Sequence, residues 1–242
     1  VNTTGSHNTS VGKSSLGYNT TGTYNTALGR NALNANTTAN YNTAVGYQAL
    51  YANTTGTRNT AIGSNALDTN VTGNNNVAIG YLSLDKTVGD DNVAVGAYSL
   101  RENTTGVNNC AFGEQALTKN TTADHNTAMG YYALQQNTTG LQNTAVGASA
   151  LDATTTSSNN TAVGYQAMTD ANGAVDSVAV GSEALANVTT GDYNVGVGFQ
   201  ALKTITTSGN CVAVGYQALE NNTAGNNTAV GSNALQSNTT GD

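Results

Sequence analysis

The chain contains no proline and no tryptophan, and only 9% of its 242 residues are charged. So little charge goes with a membrane protein or with an extended, regularly hydrogen-bonded rod. No stretch approaches the roughly 18 to 20 apolar residues that a membrane helix needs, so membrane insertion is not expected. Seven basic residues, spread singly through a chain of net charge −7, build no phosphate-tracking patch, which argues against nucleic acid.

Chemistry-bearing motifs are equally scarce. There is no Ser/His/Asp set, HExxH, CxxC or phosphate-binding loop, and the Gly-rich, Asp-bearing calcium repeat of secreted β-rolls is missing. No enzyme activity, cofactor or metal is therefore expected. Cys110 and Cys211 are the only cysteines, and His7 and His125 the only histidines. Asp90 and Asp91 are the one weak cluster of acids.

What is present is a period. A glycine closes the same phrase fourteen times, from Gly12 through Gly46 and Gly130 to Gly231, at a spacing of 17 residues with two steps of 16. A unit this short and regular is one small coil stacked on its neighbours. The repeat runs from end to end, so residues 1–242 read as a single array. The segment Val1–Ser6 and the final Asp242 both have the phase of a repeat's closing loop. That predicts ends cut from mid-repeat, as in a window of a longer protein or a subunit that stacks head to tail.

Positions are counted here from the signature glycine as zero. Position −1 is always apolar, position −3 is Thr, Val or one Cys, and position +4 is Leu in thirteen repeats and Met168 in the other. Two β-favouring residues two apart mark one face of a strand. The expected core columns are −1 and +4, represented by Val45 with Leu50, Ile62 with Leu67 and Val146 with Leu151. A second short strand carrying the Leu would then face the first across a turn at the glycine.

One coil buries too little to offset the ordering of its own residues, at roughly 1.5 to 3 kcal/mol per buried aliphatic side chain, so stability must come from stacking. The fold class is all-β: a parallel β-solenoid of about fourteen coils, stacked at about 4.8 Å. At that rise the two cysteines stand about 29 Å apart, beyond the ~7 Å reach of a disulfide. Position −2 is Ala in twelve repeats and position +3 is Ala or Ser throughout. By alternation, −2 faces outward, either as a strip for packing against another copy or because a thin coil lacks room.

The phrases SVAVGSEALA (Ser177–Ala186), NVAIG (Asn76–Gly80) and NTAVGYQA (Asn42–Ala49) resemble the head repeats of trimeric autotransporter adhesins, with related repeats in phage tail fibres. The resemblance implies a left-handed β-roll, trimerised side by side, in an extracellular adhesin or fibre. Those head repeats are usually near 14 residues; here an Asn-Thr-Thr-Gly loop lengthens the coil to 17.

The repeated polar residues suggest further surfaces. Asn19, Asn36, Asn53, Asn70, Asn103, Asn120, Asn137 and Asn238, all at +7, are sequons and would form one edge column for N-linked sugars. Asn and Thr are also simply good turn formers. Other sequons begin at Asn2, Asn8, Asn159, Asn187, Asn221 and Asn226. A second Asn column at −4 is expected to form an amide ladder. Tyr47, Tyr81, Tyr131, Tyr165 and Tyr216 recur at +1, where they could stack on host sugars or pack on neighbouring coils. Ice binding needs outward Thr on a plane, whereas the −3 Thr is expected to face inward.

The expected function is a non-enzymatic extracellular rod, at a cell surface or in a virion fibre, that associates with itself as a homo-oligomer or filament, either as the side-by-side trimer the resemblance implies or head to tail. Alternatives are a glycosylated head-to-tail filament subunit, a glycan-binding tail-fibre module and an ice-binding solenoid.

Overall fold

The computed structural model describes residues 2–241. Val1 and Asp242, on which the reading of the chain ends rests, lie outside them. Contacts divide the chain into two compact units, Val1–Ala123 and Asp124–Asp242. Each unit is a stack of seven coils, each with one three-residue strand.

In the first unit the strands are β1 (Thr9–Val11), β2 (Thr26–Leu28), β3 (Thr43–Val45), β4 (Thr60–Ile62), β5 (Val77–Ile79), β6 (Val93–Val95) and β7 (Cys110–Phe112). In the second they are β8 (Thr127–Met129), β9 (Thr144–Val146), β10 (Thr161–Val163), β11 (Val178–Val180), β12 (Val195–Val197), β13 (Val212–Val214) and β14 (Thr228–Val230). Within each unit every strand pairs in parallel with the next, and the register joins equivalent positions. Thr43 lies over Thr60, Ala44 over Ala61 and Val45 over Ile62; Thr144, Ala145 and Val146 lie over Thr161, Ala162 and Val163. This is the parallel β-solenoid that the period predicts.

The second strand does not form. The segment after the glycine is a run of turns in which +2 and +4 take left-handed backbone conformations, as at Gln48 (φ 53°) and Leu50 (φ 54°). An L-residue in that region costs roughly 1 to 2 kcal/mol. Two gains offset the cost. Every such Leu from Leu33 to Leu219, and Met168, is fully buried. The turns also keep inter-coil hydrogen bonds in both directions: the Leu50 amide donates to the Ala66 carbonyl at 2.9 Å, and the Gln48 amide to Arg30 at 3.0 Å.

The phase of the strand is the reverse of the expected one. Position −2 points into the coil, where Ala44, Ala61 and Ala145 are wholly buried. At Gly196, the one glycine in this column, a Cβ would stand 3.2 Å from Leu185 Cγ, so −2 faces the Leu column. The coil is thin, and a methyl group is all that fits against the Leu. The larger −1 side chains are pushed outward: Ile62 is 39% exposed, and Val45 and Val146 are half-buried. Leu50, Leu67 and Leu151 are core as expected, whereas Val45, Ile62 and Val146 are not.

The signature glycine has two separate reasons to lack a side chain. Gly46 has φ 138°, a region that L side chains rarely adopt, and a Cβ there would meet the Gly63 carbonyl oxygen at 2.4 Å.

Candidate functional site

Because −2 is the inner position, the outer face of each sheet is built from −3 and −1. In the first unit it runs through Thr26, Thr43, Thr60 and Val77 in one column and Leu28, Val45, Ile62 and Ile79 in the other. In the second it includes Thr144, Thr161 and Val178 beside Val146, Val163 and Val180. No Lys, Arg, Asp or Glu interrupts either column. Seven strands at ~4.8 Å, each about 10 Å long, make a face on the order of 300 Å² per unit, and over the two units its −3 column is threonine in eight of fourteen coils. The expected Ala strip is interior and contributes nothing to this face.

Cys110 lies on the same face, half-buried in β7, with burial pushing its thiol pKa up. Cys211 is buried at a coil corner, its Sγ 3.3 Å from the Ala224 carbonyl.

The +7 asparagines do not form an exposed edge. Asn19, Asn36, Asn53, Asn70, Asn103, Asn120 and Asn137 are buried, and Asn238 is half-buried. Each carboxamide is held in place. Asn53 Nδ2 donates to Asn36 Oδ1 at 3.2 Å and to the Gly56 carbonyl at 2.9 Å, which uses both of its hydrogens. The same pair of bonds recurs at Asn36 and at Asn120. Asn238 Nδ2 likewise reaches Asn222 Oδ1 and the Gly241 carbonyl. In the second unit Thr154, Ala171, Val188 and Ile205 replace Asn at +7 in four consecutive coils, all buried.

The −4 column is the ladder that was expected. Asn42 Oδ1 accepts from the Asn59 amide, and Asn59 Oδ1 accepts from the Asn76 amide, each at 2.9 Å. Asn126, Asn143 and Asn160 repeat the pattern in the second unit.

The +1 tyrosines are exposed, and they pair as often with the +2 column as with their own. Tyr131 stacks on Tyr132 (3.8 Å between centroids), Tyr81 meets Tyr98 edge-on, Tyr216 stacks on Phe199, and Arg30 sits over Tyr47. Tyr165 is exposed as well. The regular aromatic ladder is elsewhere, at His7, Tyr24 and Tyr41, whose rings stack at 4.7 and 5.1 Å. The 17-residue spacing of these three residues was a signal available in the sequence.

Four of the five carboxyls with shifted pKa stand at +5 or +6, and Glu183 stands at +2. Burial raises the pKa of Asp68, Asp85 and Asp152, and the charge of Asp68 adds to the effect at Asp85. Glu102 and Glu183 are lowered instead, by hydrogen bonds from Lys86 and Lys203. Among the described residues no three His, Cys, Asp or Glu side chains gather as a metal site, and no helix is long and apolar enough to cross a membrane.

These features define a parallel β-solenoid repeat protein whose outer sheet face is uncharged, with a Thr/Val column beside an apolar one. No protein-family model and no curated protein matches the chain.

Proposed function

We propose that this chain is a non-enzymatic structural or adhesive segment of an extracellular fibre, at a cell surface or on a virion, whose copies associate through the outer sheet face. The carrying observation is that Ile62, Ile79, Phe112 and Met129 stand exposed in the −1 column while the inward position of the same strands is alanine. Each strand turns its small residue to the Leu column inside and presents its large one to a neighbour. A side-by-side arrangement matches like faces, and the in-register columns repeat the same weak contact at every coil, so the contacts reinforce one another.

The test replaces Ile62 and Val163 with lysine, one change on each unit's face. Sedimentation of the wild type should show a concentration-dependent oligomer, and the variant should run as a monomer with an unchanged circular dichroism spectrum. A wild type that stays monomeric at every concentration overturns the reading.

Outward Thr favours one second reading. Thr9, Thr26, Thr43 and Thr60 stand in consecutive coils, as do Thr127, Thr144 and Thr161, and all lie on the outer face. The premise that set ice binding aside is thus reversed, although Leu28, Phe112 and Met129 break the regularity of the neighbouring column. Thermal hysteresis that disappears in Thr43→Lys would favour this reading over self-association.

A further inference from the structure

The fourteen sequons of the chain differ sharply in what holds their acceptor nitrogen. The +7 set from Asn19 to Asn137 is committed to the interior, and the half-buried Asn238 has both Nδ2 hydrogens bonded. Asn2 Nδ2 donates to Gly5, Asn8 Nδ2 to Gly22 and Asn221 Nδ2 to Gln236. Three remain: Asn159 in Asn-Asn-Thr, Asn187 in Asn-Val-Thr and Asn226 in Asn-Asn-Thr. All three are exposed. Their main-chain amides are bonded, Asn187 to the Lys203 carbonyl at 3.2 Å for example, but their carboxamides make no hydrogen bond among the described residues.

We propose that Asn159, Asn187 and Asn226 are the N-linked carbohydrate acceptors of this chain and that the +7 asparagines are not. The inference rests on the extracellular reading above. Attachment joins Asn Nδ2 to the anomeric carbon of an oligosaccharide carried on a polyprenyl pyrophosphate. The N–C1 bond forms as the C1–O bond to pyrophosphate breaks, the lipid pyrophosphate leaves with the electron pair, and the displaced Nδ2 proton passes to solvent.

The fold discriminates on two grounds. A glycosylated Nδ2 keeps one hydrogen, so a sugar on Asn53 must break a bond to Asn36 or Gly56 and place a ring where the residue is fully buried. At Asn187 nothing is broken. That side chain also borders an open cavity of about 330 Å³ together with Gln166, Asp170, Glu183 and Lys203. The Lys203–Glu183 ion pair, 2.6 Å long, and the Gln166 amide offer donors and acceptors to the hydroxyls of the first sugar. Asn159 and Asn226 share position −5, one residue before the buried −4 ladder, with their own side chains turned to solvent.

The test is secretion of the full chain from cultured eukaryotic cells behind an added signal peptide. Total cellular and secreted protein are then mapped by glycosidase release in heavy-oxygen water. We expect label at Asn159, Asn187 and Asn226 and none at the +7 asparagines, with one glycan-sized mass step lost for each of N159Q, N187Q and N226Q. The triple variant should lose all three mass steps, carry no label at any +7 asparagine and keep its circular dichroism spectrum. Label on any +7 asparagine of folded protein, or none at the three named positions, overturns the proposal. Self-association is read separately on unglycosylated chain made in bacteria, so failure of the sugar proposal and failure of the fibre reading give different results.

Discussion

The main-chain amide of Asn59 donates to the side-chain oxygen of Asn42, 2.9 Å away in the preceding coil. Asn59 in turn accepts from the Asn76 amide and donates through Nδ2 to the Gly73 carbonyl at 2.8 Å. Asn59→Ala therefore orphans a buried amide in the next coil. The Gly73 carbonyl keeps its bond from Asn70. The expected cost is about 2 to 4 kcal/mol, one lost bond plus one unsatisfied buried donor, read from denaturant midpoints. Asn59→Asp retains the acceptor but buries a carboxylate, whose pKa rises in the fold. Its destabilisation should be greatest at neutral pH and shrink as the pH falls and the acid regains a donor.

Ala145 and Val146 test the phase of the strand. Ala145→Val pushes two methyl groups towards the Leu column and should destabilise by about 1 to 3 kcal/mol. Val146→Ala alters an outward residue and should change the stability of the dilute chain by less than about 1 kcal/mol. Equal losses at the two positions would contradict the inward alanine. In concentrated solution Val146→Ala should in addition weaken association.

Gly196 occupies a column that is otherwise alanine apart from Ser10. A Cβ there would lie 3.1 Å from the Ala201 carbonyl oxygen and 3.2 Å from Leu185 Cγ, so both must give by a few tenths of an ångström. The adjoining coils hold Ala179 and Ala213 fully buried at the same position. Gly196→Ala should therefore stabilise by about 0.5 to 1 kcal/mol through the unfolded chain. A lower melting temperature would show that the coil at β12 is narrower than its neighbours.

Asp85 carries a pH prediction. Its folded pKa is raised above the ordinary 3.8, by burial first and by Asp68 second. A carboxyl raised in the fold contributes stability that is fully present below its unfolded pKa and lost as the pH climbs through its folded value. The ionised form is thus a liability at neutral pH. Asp85→Asn should raise the melting temperature at pH 7, with a difference that fades as the pH drops below 3.8. A gain independent of pH would mean that charge is not the cause. Glu102 and Glu183, lowered by their lysines, act in the opposite sense and make wild-type stability fall in acid.

Much of the coil was legible because stacking multiplies a weak signal. One Gly-x-x-x-Leu says little, but thirteen of them, with Met168 completing the column, define the parallel ladder of each unit and the buried Leu50, Leu67 and Leu151. The phase of the strand was misread because Val and Ile are usually interior, and composition carries no measure of coil thickness. Only the 3.2 Å approach of a Gly196 Cβ to Leu185 shows how little room is left. The second strand failed because Leu rarely adopts a left-handed backbone alone, and the sequence shows neither the burial nor the inter-coil bonds that make it adopt one here. The +7 asparagines were misplaced for a related reason: an Asn-Thr-Thr-Gly phrase looks the same whether its amide faces water or its predecessor.

The two shortened coils show what this architecture does with length. Where Thr87-Val88-Gly89 replaces the usual four-residue loop, Thr87 Oγ1 takes the bond from Asn103 Nδ2 that an asparagine would have accepted, and Asn92 still meets Asn76. A single-residue loss is absorbed in one loop. Removing a whole coil would be quieter still, because the coils above and below would find each other with the same donors, acceptors and methyl groups. Recombination between repeats within the gene can therefore lengthen or trim this protein in whole coils without redesigning a contact, leaving the number of coils free for selection to set.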